Sequence, residues 1–303
     1  MSPPHPGVLP SSGHAGLGSD VVVDLGDLDG WRPRLVATDL DGTLLHSTGA
    51  VTPRTRAAME ASWAVGIPVV GVTGRGPRLL DSVRGALDGR GIAVLAQGGF
   101  VVDLERDEVL RTVGLPRAQA VAVIERIEEV AGELIVAVED AAEQAESQGP
   151  LRVQHGFDWP YPEPAHLLPR NEVLPPGPVL KVFLRSSSVG QDELLARARQ
   201  VVDPTEAEVT HAGLGFIEVL PPGITKATGL ALALERYGVG FGDVLVFGDM
   251  PNDLPMIEAV QAAGGRAVAV ANAHPAVRAA TPLVTSGHDV DGVARYLEAV
   301  LGV

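Results

Sequence analysis

The sequence predicts an α/β fold, with a parallel sheet core and a smaller α+β module inserted into it. Continuous apolar runs alternate with helical patterns near both ends of the chain, as in buried parallel strands joined by crossover helices. In the middle of the chain the order changes to mixed strands and helices, which is typical of a separate α+β unit. A length of 303 residues is sufficient for both units.

Composition narrows the possible functions. The formal net charge of -15 argues against nucleic acid or an anionic membrane as a partner. No window approaches about 18 uninterrupted apolar residues, and no secretory signal pattern opens the chain, so we expect a cytoplasmic protein without a membrane segment. The absence of cysteine excludes disulfides, thiolate nucleophiles and cysteine-ligated metals. Residues 1–30, rich in proline, glycine and serine, are predicted to form a disordered leader.

The first predicted strand ends in two carboxylates. The apolar run Leu35-Val36-Ala37 is followed by Asp39 and Asp41, and residues two apart on a strand project from the same face. Ligands bind at this edge of open α/β sheets. Crowded carboxylates need a cation or a shared proton, and an all-oxygen site favours Mg²⁺ over Zn²⁺. The alternative is an ordinary Asp-x-Asp-Gly surface turn.

A βαβ unit is predicted next. Thr52 and Pro53 supply an N-cap and a first-turn proline for a helix that runs to Val65 and stops at Gly66. The continuous apolar run Ile67–Val72 then indicates a buried parallel strand. Such a unit is expected to be right-handed.

The second strand ends at a candidate anion site. Thr73, Gly74 and Arg75 follow it directly, and a hydroxyl group with a glycine amide at a strand end suits an anion. The alternative is a capped turn into the next helix, predicted over 78–88. Arg75 is expected either to reach the substrate or to form a structural ion pair. A strand at Ile92–Leu95 then leads into a hairpin of 100–104 with 108–112.

The inserted module is predicted over 113–220. Its elements are a helix over 116–131, strands at Ile135–Val138 and Val179–Leu184, a helix over 190–202, and paired strands at 207–211 and 215–220. Lys181 lies on one of these strands. The stretch 140–178, which contains many prolines, is predicted to be irregular, and a loop of this length is usually functional or mobile.

The alternation of helices and strands returns after the module. Lys226 lies at the start of a helix over 225–237, and the apolar strand Val244–Phe247 ends in the acidic turn 248–253. The pattern is completed by a helix over 254–263, a strand over 267–270, and helices over 274–280 and 290–301. The core is therefore expected to occupy 31–112 and 221–303.

Polar candidates cluster at these strand ends and at the helix start, and together they would form one pocket at the carboxyl edge of the parallel sheet. Each also has an ordinary structural explanation. Lys226 can be a solvated helix residue, and Asn252 or Asp253 can cap the helix over 254–263. The candidates are Asp39, Asp41, Thr73, Lys226, Asp249, Asn252 and Asp253.

Four segments resemble, in order, the four motifs of haloacid dehalogenase-superfamily phosphatases. They are Asp39-Leu40-Asp41-Gly42-Thr43-Leu44-Leu45, Val72-Thr73-Gly74-Arg75, Gly223-Ile224-Thr225-Lys226 and Gly248-Asp249-Met250-Pro251-Asn252-Asp253. The long insertion between the second and third motifs is similar to the class II (IIB) cap of the Cof-type branch. The resemblance covers about residues 33–303 and implies a Rossmann-like parallel sheet core with an inserted α+β cap domain.

The resemblance also implies an activity, the Mg²⁺-dependent hydrolysis of a small phosphate ester such as a sugar phosphate or a phosphorylated cofactor. Asp39 would attack phosphorus and form an aspartyl-phosphate, while Asp41 would protonate the leaving alkoxide and later activate water. Mg²⁺ would bind the Asp39 carboxylate, the Asp41 backbone carbonyl and Asp249. Asp253 would hold metal-bound waters.

The same resemblance implies a set of phosphate-binding groups. These are the Thr73 hydroxyl, the backbone amides of Leu40 and Gly74, and the side chains of Lys226 and Asn252. Phosphoryl transfer requires mainly positioning and charge neutralisation from the protein. A phosphate charge about 4 Å from a carboxylate costs about 4 kcal/mol at an effective dielectric of about 20. Both Mg²⁺ and the lysine are therefore needed for attack.

Two other functions stay open from the sequence. A phosphomutase would return the phosphoryl group of the same aspartyl-phosphate to the substrate. A receiver-like signalling module would also combine an acidic cluster with Thr or Ser and Lys, although the inserted module and the Asp-x-Asp-Gly-Thr order argue against it. Relatives commonly have Asn-Gly where this chain has Gln97-Gly98-Gly99, which puts substrate contacts at that position in doubt. The protein is expected to be a monomer or a homodimer.

Overall fold

Two β-sheets organise the computed structural model, which describes residues 31–141, 150–159, 165–211 and 215–302. The strands are β1 (Leu35–Thr38), β2 (Val69–Val72), β3 (Ile92–Leu95), β4 (Phe100–Asp103), β5 (Glu108–Thr112), β6 (Leu134–Asp140), β7 (Leu151–Gln154), β8 (Ala165–Leu168), β9 (Val179–Ser186), β10 (Glu208–His211), β11 (Ile217–Leu220), β12 (Val244–Gly248), β13 (Arg266–Val270) and β14 (Leu283–Thr285).

Nine α-helices accompany these strands in the described part of the chain. They are α1 (Pro53–Ala64), α2 (Leu80–Ala86), α3 (Arg117–Ala131), α4 (Arg170–Val173), α5 (Gln191–Val201), α6 (Lys226–Tyr237), α7 (Leu254–Ala262), α8 (Pro275–Ala280) and α9 (Gly292–Leu301). Short 3₁₀ turns precede several of them, including Pro251–Asp253 before α7.

The larger sheet has eight strands in the order β14-β13-β12-β1-β2-β3-β4-β5. The first six of these run parallel, and β4 and β5 add an antiparallel hairpin at one edge. The central strands are buried throughout, as apolar strands covered on both faces must be. Leu35 pairs with Val244 and Thr38 with Phe247, so β1 and β12 end side by side.

The turns between strands and helices explain where α1 and α6 begin. The Thr52 hydroxyl accepts the backbone N–H of Thr55 at 3.1 Å, and Pro53 occupies the first helical turn. At α6, Thr225 caps the helix in a reciprocal arrangement with Thr228. Because its N-terminus is fixed in this way, α6 presents its first residue to the carboxyl edge of the sheet.

The smaller sheet has six strands in the order β10-β11-β9-β6-β7-β8. All neighbours are antiparallel except β7 and β8. One face packs aliphatic residues against α3 and α5. The opposite face carries a second apolar cluster with the aromatic residues Phe157, Phe183 and Phe216, and Trp159 packs against it.

The predicted fold class is confirmed, but two details of the prediction are wrong. The stretch 140–178 is not irregular, because within its described residues it contains β7, β8 and α4. These elements are only four residues long and prolines lie among them, so no periodicity was visible. The strand β14 was not predicted, because it is only three residues long. The predicted leader, residues 1–30, lies outside the described residues, as do 142–149 and 160–164.

Candidate active site

Asp39 lies at the end of β1, where a tight turn carries the chain back across the sheet edge. Its side chain is buried, and Gly42 in the following turn has a φ of 77°. A Cβ atom at Gly42 would lie 2.5 Å from Oδ2 of Asp249. Glycine is therefore required both by the backbone conformation and by the close approach of the Asp249 carboxylate.

Lys226 is the first residue of α6 and points into the protein rather than into solvent. It is only 1 % exposed. Its Nζ donates hydrogen bonds to Oδ1 of Asp39 at 2.6 Å and to Oδ1 of Asp253 at 2.5 Å. The explanation of Lys226 as a solvated helix residue is therefore wrong. The lysine connects the end of β1, through Asp39, to the turn after β12, through Asp253.

Asp249 and Asp253 occupy the turn that follows β12. Oδ2 of Asp253 accepts the backbone N–H groups of Asp249 and Met250, each at 2.9 Å. The hydroxyl of Thr43, in the turn after β1, donates to Oδ1 of Asp249 at 2.9 Å. Asp253 is therefore held by backbone groups of its own turn, and Asp249 by a residue of the turn after β1.

Three carboxylates meet at this point. One oxygen from each of Asp39, Asp249 and Asp253 lies within 4.8 Å of the others. When all three carboxylates are ionised, they carry three negative charges, and the ammonium of Lys226 compensates one of them. The two remaining negative charges suit a divalent cation. Both oxygens of Asp253 already accept hydrogen bonds, so Asp39 and Asp249 are the side chains best placed to bind an ion directly. The side chain of Asp41 lies outside this group.

Burial among like charges shifts the pKa values of these groups. Burial raises the pKa of Asp39 well above its ordinary value; the charge of Lys226 opposes this, and those of Asp253 and Asp249 add to it. Burial and the charge of Asp253 likewise raise the pKa of Asp249 to about 6, despite the hydrogen bond from Thr43. Crowding of this kind is relieved when a cation binds.

For Lys226, burial and the neighbouring charges have opposite effects on the pKa. Burial alone would lower the pKa of its ammonium, but the charges and hydrogen bonds of Asp253 and Asp39 outweigh this effect and raise the pKa. The lysine is therefore a permanent positive charge at the site. It can neutralise part of the charge of an anionic substrate that approaches Asp39.

Thr73, Gly74 and Asn252 lie on the rim of the same site. Thr73 follows β2 and is 1 % exposed, and its hydroxyl accepts the backbone N–H of Arg75 at 3.1 Å. Oδ1 of Asn252 is buried and has no hydrogen-bond partner among the described residues. A buried polar atom of this kind is available to a ligand. Leu40, whose backbone amide was predicted to bind phosphate, lies fully buried beside Asp39.

Asp41 takes a different orientation from Asp39. Its carboxylate accepts a bidentate pair of hydrogen bonds from Arg75, with Nε at 2.8 Å and Nη2 at 2.6 Å. The same guanidinium donates from Nη1 to Ser82 at 2.6 Å. Of the two roles open to Arg75 from the sequence, the structure shows the ion pair.

A cavity of about 340 Å³ lies between the two sheets, next to the acidic cluster. The larger sheet provides its floor and the smaller sheet its roof. The lining residues from the larger sheet and its turns include Asp39, Asp41, Thr73, Gly74, Arg75, Arg78, Gln97 and Asn252. Those from the smaller sheet and the segments next to its strands are Trp159, Lys181, Phe183, Phe216 and Glu218.

Buried polar contacts join the roof to the floor. Nζ of Lys181 donates to the backbone carbonyl of Gly74 and, at 2.8 Å, to Oε1 of Glu218. Nε2 of Gln97 donates to Oε2 of Glu218 at 2.8 Å. Nε of Arg78 forms an ion pair with Oε1 of Glu139 at 2.9 Å. The roof is therefore held against the edge that carries the acidic cluster.

Sequence reasoning placed Lys181 on a strand but missed the site role of its neighbours. Lys181 and Phe183 are two residues apart on β9 and therefore lie on the same face of the strand. Phe216 and Glu218, at the start of β11, have the same spacing. A charged residue two positions from an aromatic one, in an otherwise apolar strand, was the available signal. No comparable local pattern marks Gln97, whose partner Glu218 is 121 positions away.

The chain contains only two lysines, Lys181 and Lys226. Both are buried, at 3 % and 1 % exposure, and both lie at this site. The remaining basic side chains are arginine and histidine.

No helix in the described part of the chain is long and apolar enough to span a membrane.

Comparisons with known proteins identify the family of this chain. The model of the family described as haloacid dehalogenase-like hydrolase matches residues 36–297. The phosphoglycolate phosphatase of Methanothermobacter thermautotrophicus is 27 % identical over 271 residues, covering 89 % of this chain and 99 % of the relative. The pyridoxal phosphate phosphatase YbhA of Escherichia coli is 25 % identical over 272 residues, covering 87 % of this chain and 97 % of the relative.

The fold has a match among solved structures. The HAD subclass IIB sugar phosphatase BT4131 superimposes with a TM-score of 0.68 and 20 % identity, over 88 % of this chain and 98 % of that one. The predicted superfamily and the prediction of an enzyme are confirmed, since the matched family is one of hydrolases and both relatives are named phosphatases. With the family model matching most of its length, this chain belongs to the haloacid dehalogenase-like hydrolases.

Proposed function

We propose that this protein is a Mg²⁺-dependent phosphatase that hydrolyses a phosphoric monoester of a small metabolite, a sugar phosphate or a phosphorylated cofactor. One observation carries the proposal. Asp39 lines the cavity, and beside it lie the carboxylate of Asp249 and the ammonium of Lys226, which are up to 210 positions away in the chain. The cavity is large enough for a small phosphate ester. The relatives named as phosphatases support the same reaction class.

In the first half of the proposed reaction, a carboxylate oxygen of Asp39 attacks phosphorus and the P–O bond to the leaving group breaks. Asp41 gives its proton to the leaving oxygen, so that an alcohol departs and an aspartyl-phosphate remains. A carboxylate is a weak nucleophile, but a covalent intermediate divides one difficult displacement into two easier ones. To take this role Asp41 must free one oxygen from Arg75, because both its oxygens now bind that guanidinium; the other oxygen can keep its hydrogen bond.

In the second half, Asp41 takes a proton from a water molecule as that water attacks phosphorus. The bond between phosphorus and Asp39 breaks, and inorganic phosphate leaves. Through both halves, Lys226 and Asn252, the Thr73 hydroxyl and the backbone amides of Leu40 and Gly74 would hold the phosphoryl oxygens. Their role is positioning and charge neutralisation, which dominate phosphoryl transfer.

Mg²⁺ would be held by the Asp39 and Asp249 carboxylates and the backbone carbonyl of Asp41, with Asp253 orienting its waters. The excess negative charge and the raised pKa values of the carboxylates support a divalent ion here. When bound, it supplies the positive charge that lets a phosphate dianion approach Asp39.

We further propose that residues 113–220 form a cap over a core made of 31–112 and 221–303. The six-stranded sheet roofs the cavity, and its contacts to Gly74 and Gln97 hold it closed. Closure would exclude water and select the leaving group. Opening would then require these buried contacts to break.

Phosphate release from a panel of esters, with Mg²⁺ and with a chelator, tests the proposal. Glucose 6-phosphate, flavin mononucleotide and pyridoxal 5′-phosphate cover the two substrate classes. Mg²⁺-dependent release of phosphate from any of them supports a phosphatase. Formation of an isomeric phosphate without release would indicate a phosphomutase instead. Release that is unchanged by the chelator would contradict the metal assignment.

Gly42→Ala is expected to weaken Mg²⁺ binding by at least about tenfold. The new Cβ would lie 2.5 Å from Oδ2 of Asp249 and would displace a carboxylate that must be within about 0.5 Å of its productive position. Gly66→Ala is the matched control, because Gly66 also has a positive φ, of 82°, but has no atoms within 4 Å of the new Cβ. Calorimetric titration with Mg²⁺ gives the affinities. Equal affinities in the two variants would contradict the close-packing argument.

Mg²⁺ binding is expected to weaken as the pH falls through about 6, the pKa of Asp249, because protons and the metal compete for that carboxylate. Folding raises this pKa, so the stabilising contribution of the neutral carboxyl is present at low pH and is lost as the pH rises through about 6. Added Mg²⁺ should therefore raise the melting temperature more at about pH 7.5 than at about pH 5. Asp249→Asn should remove most of this difference, and an equal shift at both pH values in the unmodified protein would be the contrary result.

A further inference from the structure

The roof of the cavity is aromatic. Trp159 contacts Phe216 with ring centroids 5.7 Å apart in a stacked arrangement, and it contacts Phe183 at 5.1 Å edge to face. Phe183 and Phe216 contact each other at 5.4 Å. All three rings line the cavity. Phe183 and Phe216 are buried, whereas Trp159 is half-buried, so Trp159 is the least buried of the three rings. The guanidinium of Arg78 lies over it, 5.3 Å from the ring centroid.

The strands direct these rings toward the phosphate end of the site. Lys181 and Phe183 project from the same face of β9, and Lys181 reaches the carbonyl of Gly74 beside the predicted phosphate position. A group attached to a phosphoryl at Asp39 would therefore extend along this face. It would meet the aromatic wall before it reached solvent.

The cations of the cavity are already matched by carboxylates. In the described part of the chain, the lining cations are Arg75, Arg78 and Lys181. They contact Asp41 at 2.6 Å, Glu139 at 2.9 Å and Glu218 at 2.8 Å, respectively. A leaving group with its own carboxylate or second phosphate would have to break one of these pairs. The site therefore favours a leaving group without net negative charge.

Size adds a third restriction. A cavity of about 340 Å³ lies near the lower end of the range for small-molecule sites. It accommodates a phosphoryl group with one ring rather than a dinucleotide. Aromatic walls give planar rings an attraction beyond simple burial, through edge-to-face and offset contacts.

From these three features, and resting on the proposed phosphatase function, we infer that the substrate is the phosphate ester of an alcohol that carries a single planar aromatic or heteroaromatic ring without a negatively charged substituent. Trp159 is the main specificity-determining residue, and Phe183 and Phe216 support it from behind. Polyol phosphates gain nothing from this wall, and each lining cation already has a carboxyl partner with which an anionic leaving group would have to compete.

Benzyl phosphate and cyclohexylmethyl phosphate provide a matched pair of probes, because both are esters of a primary alcohol on a six-membered carbon ring and only one ring is aromatic. With Mg²⁺ and the full chain, kcat/KM is expected to be about tenfold higher for benzyl phosphate. The values for 2-phosphoglycolate and glucose 6-phosphate are expected to be lower than that for benzyl phosphate.

Three variants locate the preference. Trp159→Leu is expected to reduce the ratio for the two ring esters to within about threefold, whereas Trp159→Phe should retain most of it. Trp63→Leu is the control, because Trp63 lies on α1 outside the cavity lining and, like Trp159, has an arginine over its ring. It should leave the ratio unchanged.

The outcomes separate this inference from the proposed function. Equal kcat/KM for the two ring esters, or faster hydrolysis of 2-phosphoglycolate or glucose 6-phosphate, would overturn the aromatic assignment while a phosphatase remained. Were none of the esters to release phosphate, the proposed function would fail. Calorimetric binding of both ring esters to Asp39→Asn would then decide the inference: tighter binding of benzyl phosphate supports it, and equal binding overturns it.

Discussion

Asp39→Asn is expected to lower the rate of phosphate release by at least ~10²-fold, with little change in the fold. The amide keeps the size of the side chain and can still contact Nζ of Lys226, which now lies 2.6 Å from Oδ1. It cannot attack phosphorus, and it presents one oxygen fewer to a divalent ion. Initial rates on the best substrate of the panel, at saturating Mg²⁺, measure the loss.

Asp107→Asn is the control for this change. Asp107 loses the same charge from an exposed turn, where its partner is Arg84, and asparagine tolerates its positive φ of 54°. Its rate should match that of the unmodified protein. Full phosphate release by Asp39→Asn would remove the proposed nucleophile, and a simultaneous loss of binding to another protein would favour the receiver-like signalling module.

Lys226→Met is expected to lower phosphate release by a similar factor of at least ~10² and also to destabilise the protein. Methionine fills the space but leaves Asp39 and Asp253 without the ammonium that now lies within 2.6 Å of both. Removal of one partner from a buried ion pair typically costs about 3–5 kcal/mol. Rates and thermal unfolding should be measured on the same preparations.

A double variant separates the two effects of Lys226→Met. Adding Asp253→Asn removes one of the two uncompensated charges, so part of the lost melting temperature should return. The activity should not return, because no cation is restored beside the phosphoryl group. Recovery of activity along with stability would mean that the lysine acts only through the fold.

The strand ends could be predicted from the sequence because their signals are local. The apolar run before Asp39 and the one before Asp249 each identify a buried strand and the point at which it ends. Parallel pairing then places both ends at one edge. The chemistry of that edge follows from residue type alone, which is why an oxygen-rich site with one lysine could be expected before any coordinates.

The roof of the cavity could not be predicted in the same way. Its polar contacts join residues far apart in the chain, such as Gln97 with Glu218 and Lys181 with Gly74, and no local pattern encodes such pairs. The strands β7 and β8 are short, and β8 is an edge strand with little burial, so hydrophobic periodicity was too weak to reveal them. Trp159 was visible only as one aromatic residue in a proline-rich stretch.

The scarcity of lysine gives this protein an unusual chemical property. Because Lys181 and Lys226 are both buried at this site, an N-hydroxysuccinimide ester should acylate both side chains slowly. Acylation of Lys181 requires its contacts with Gly74 and Glu218 to break. The mass added at Lys181 over time, read from a proteolytic digest, would therefore report how often the two sheets separate.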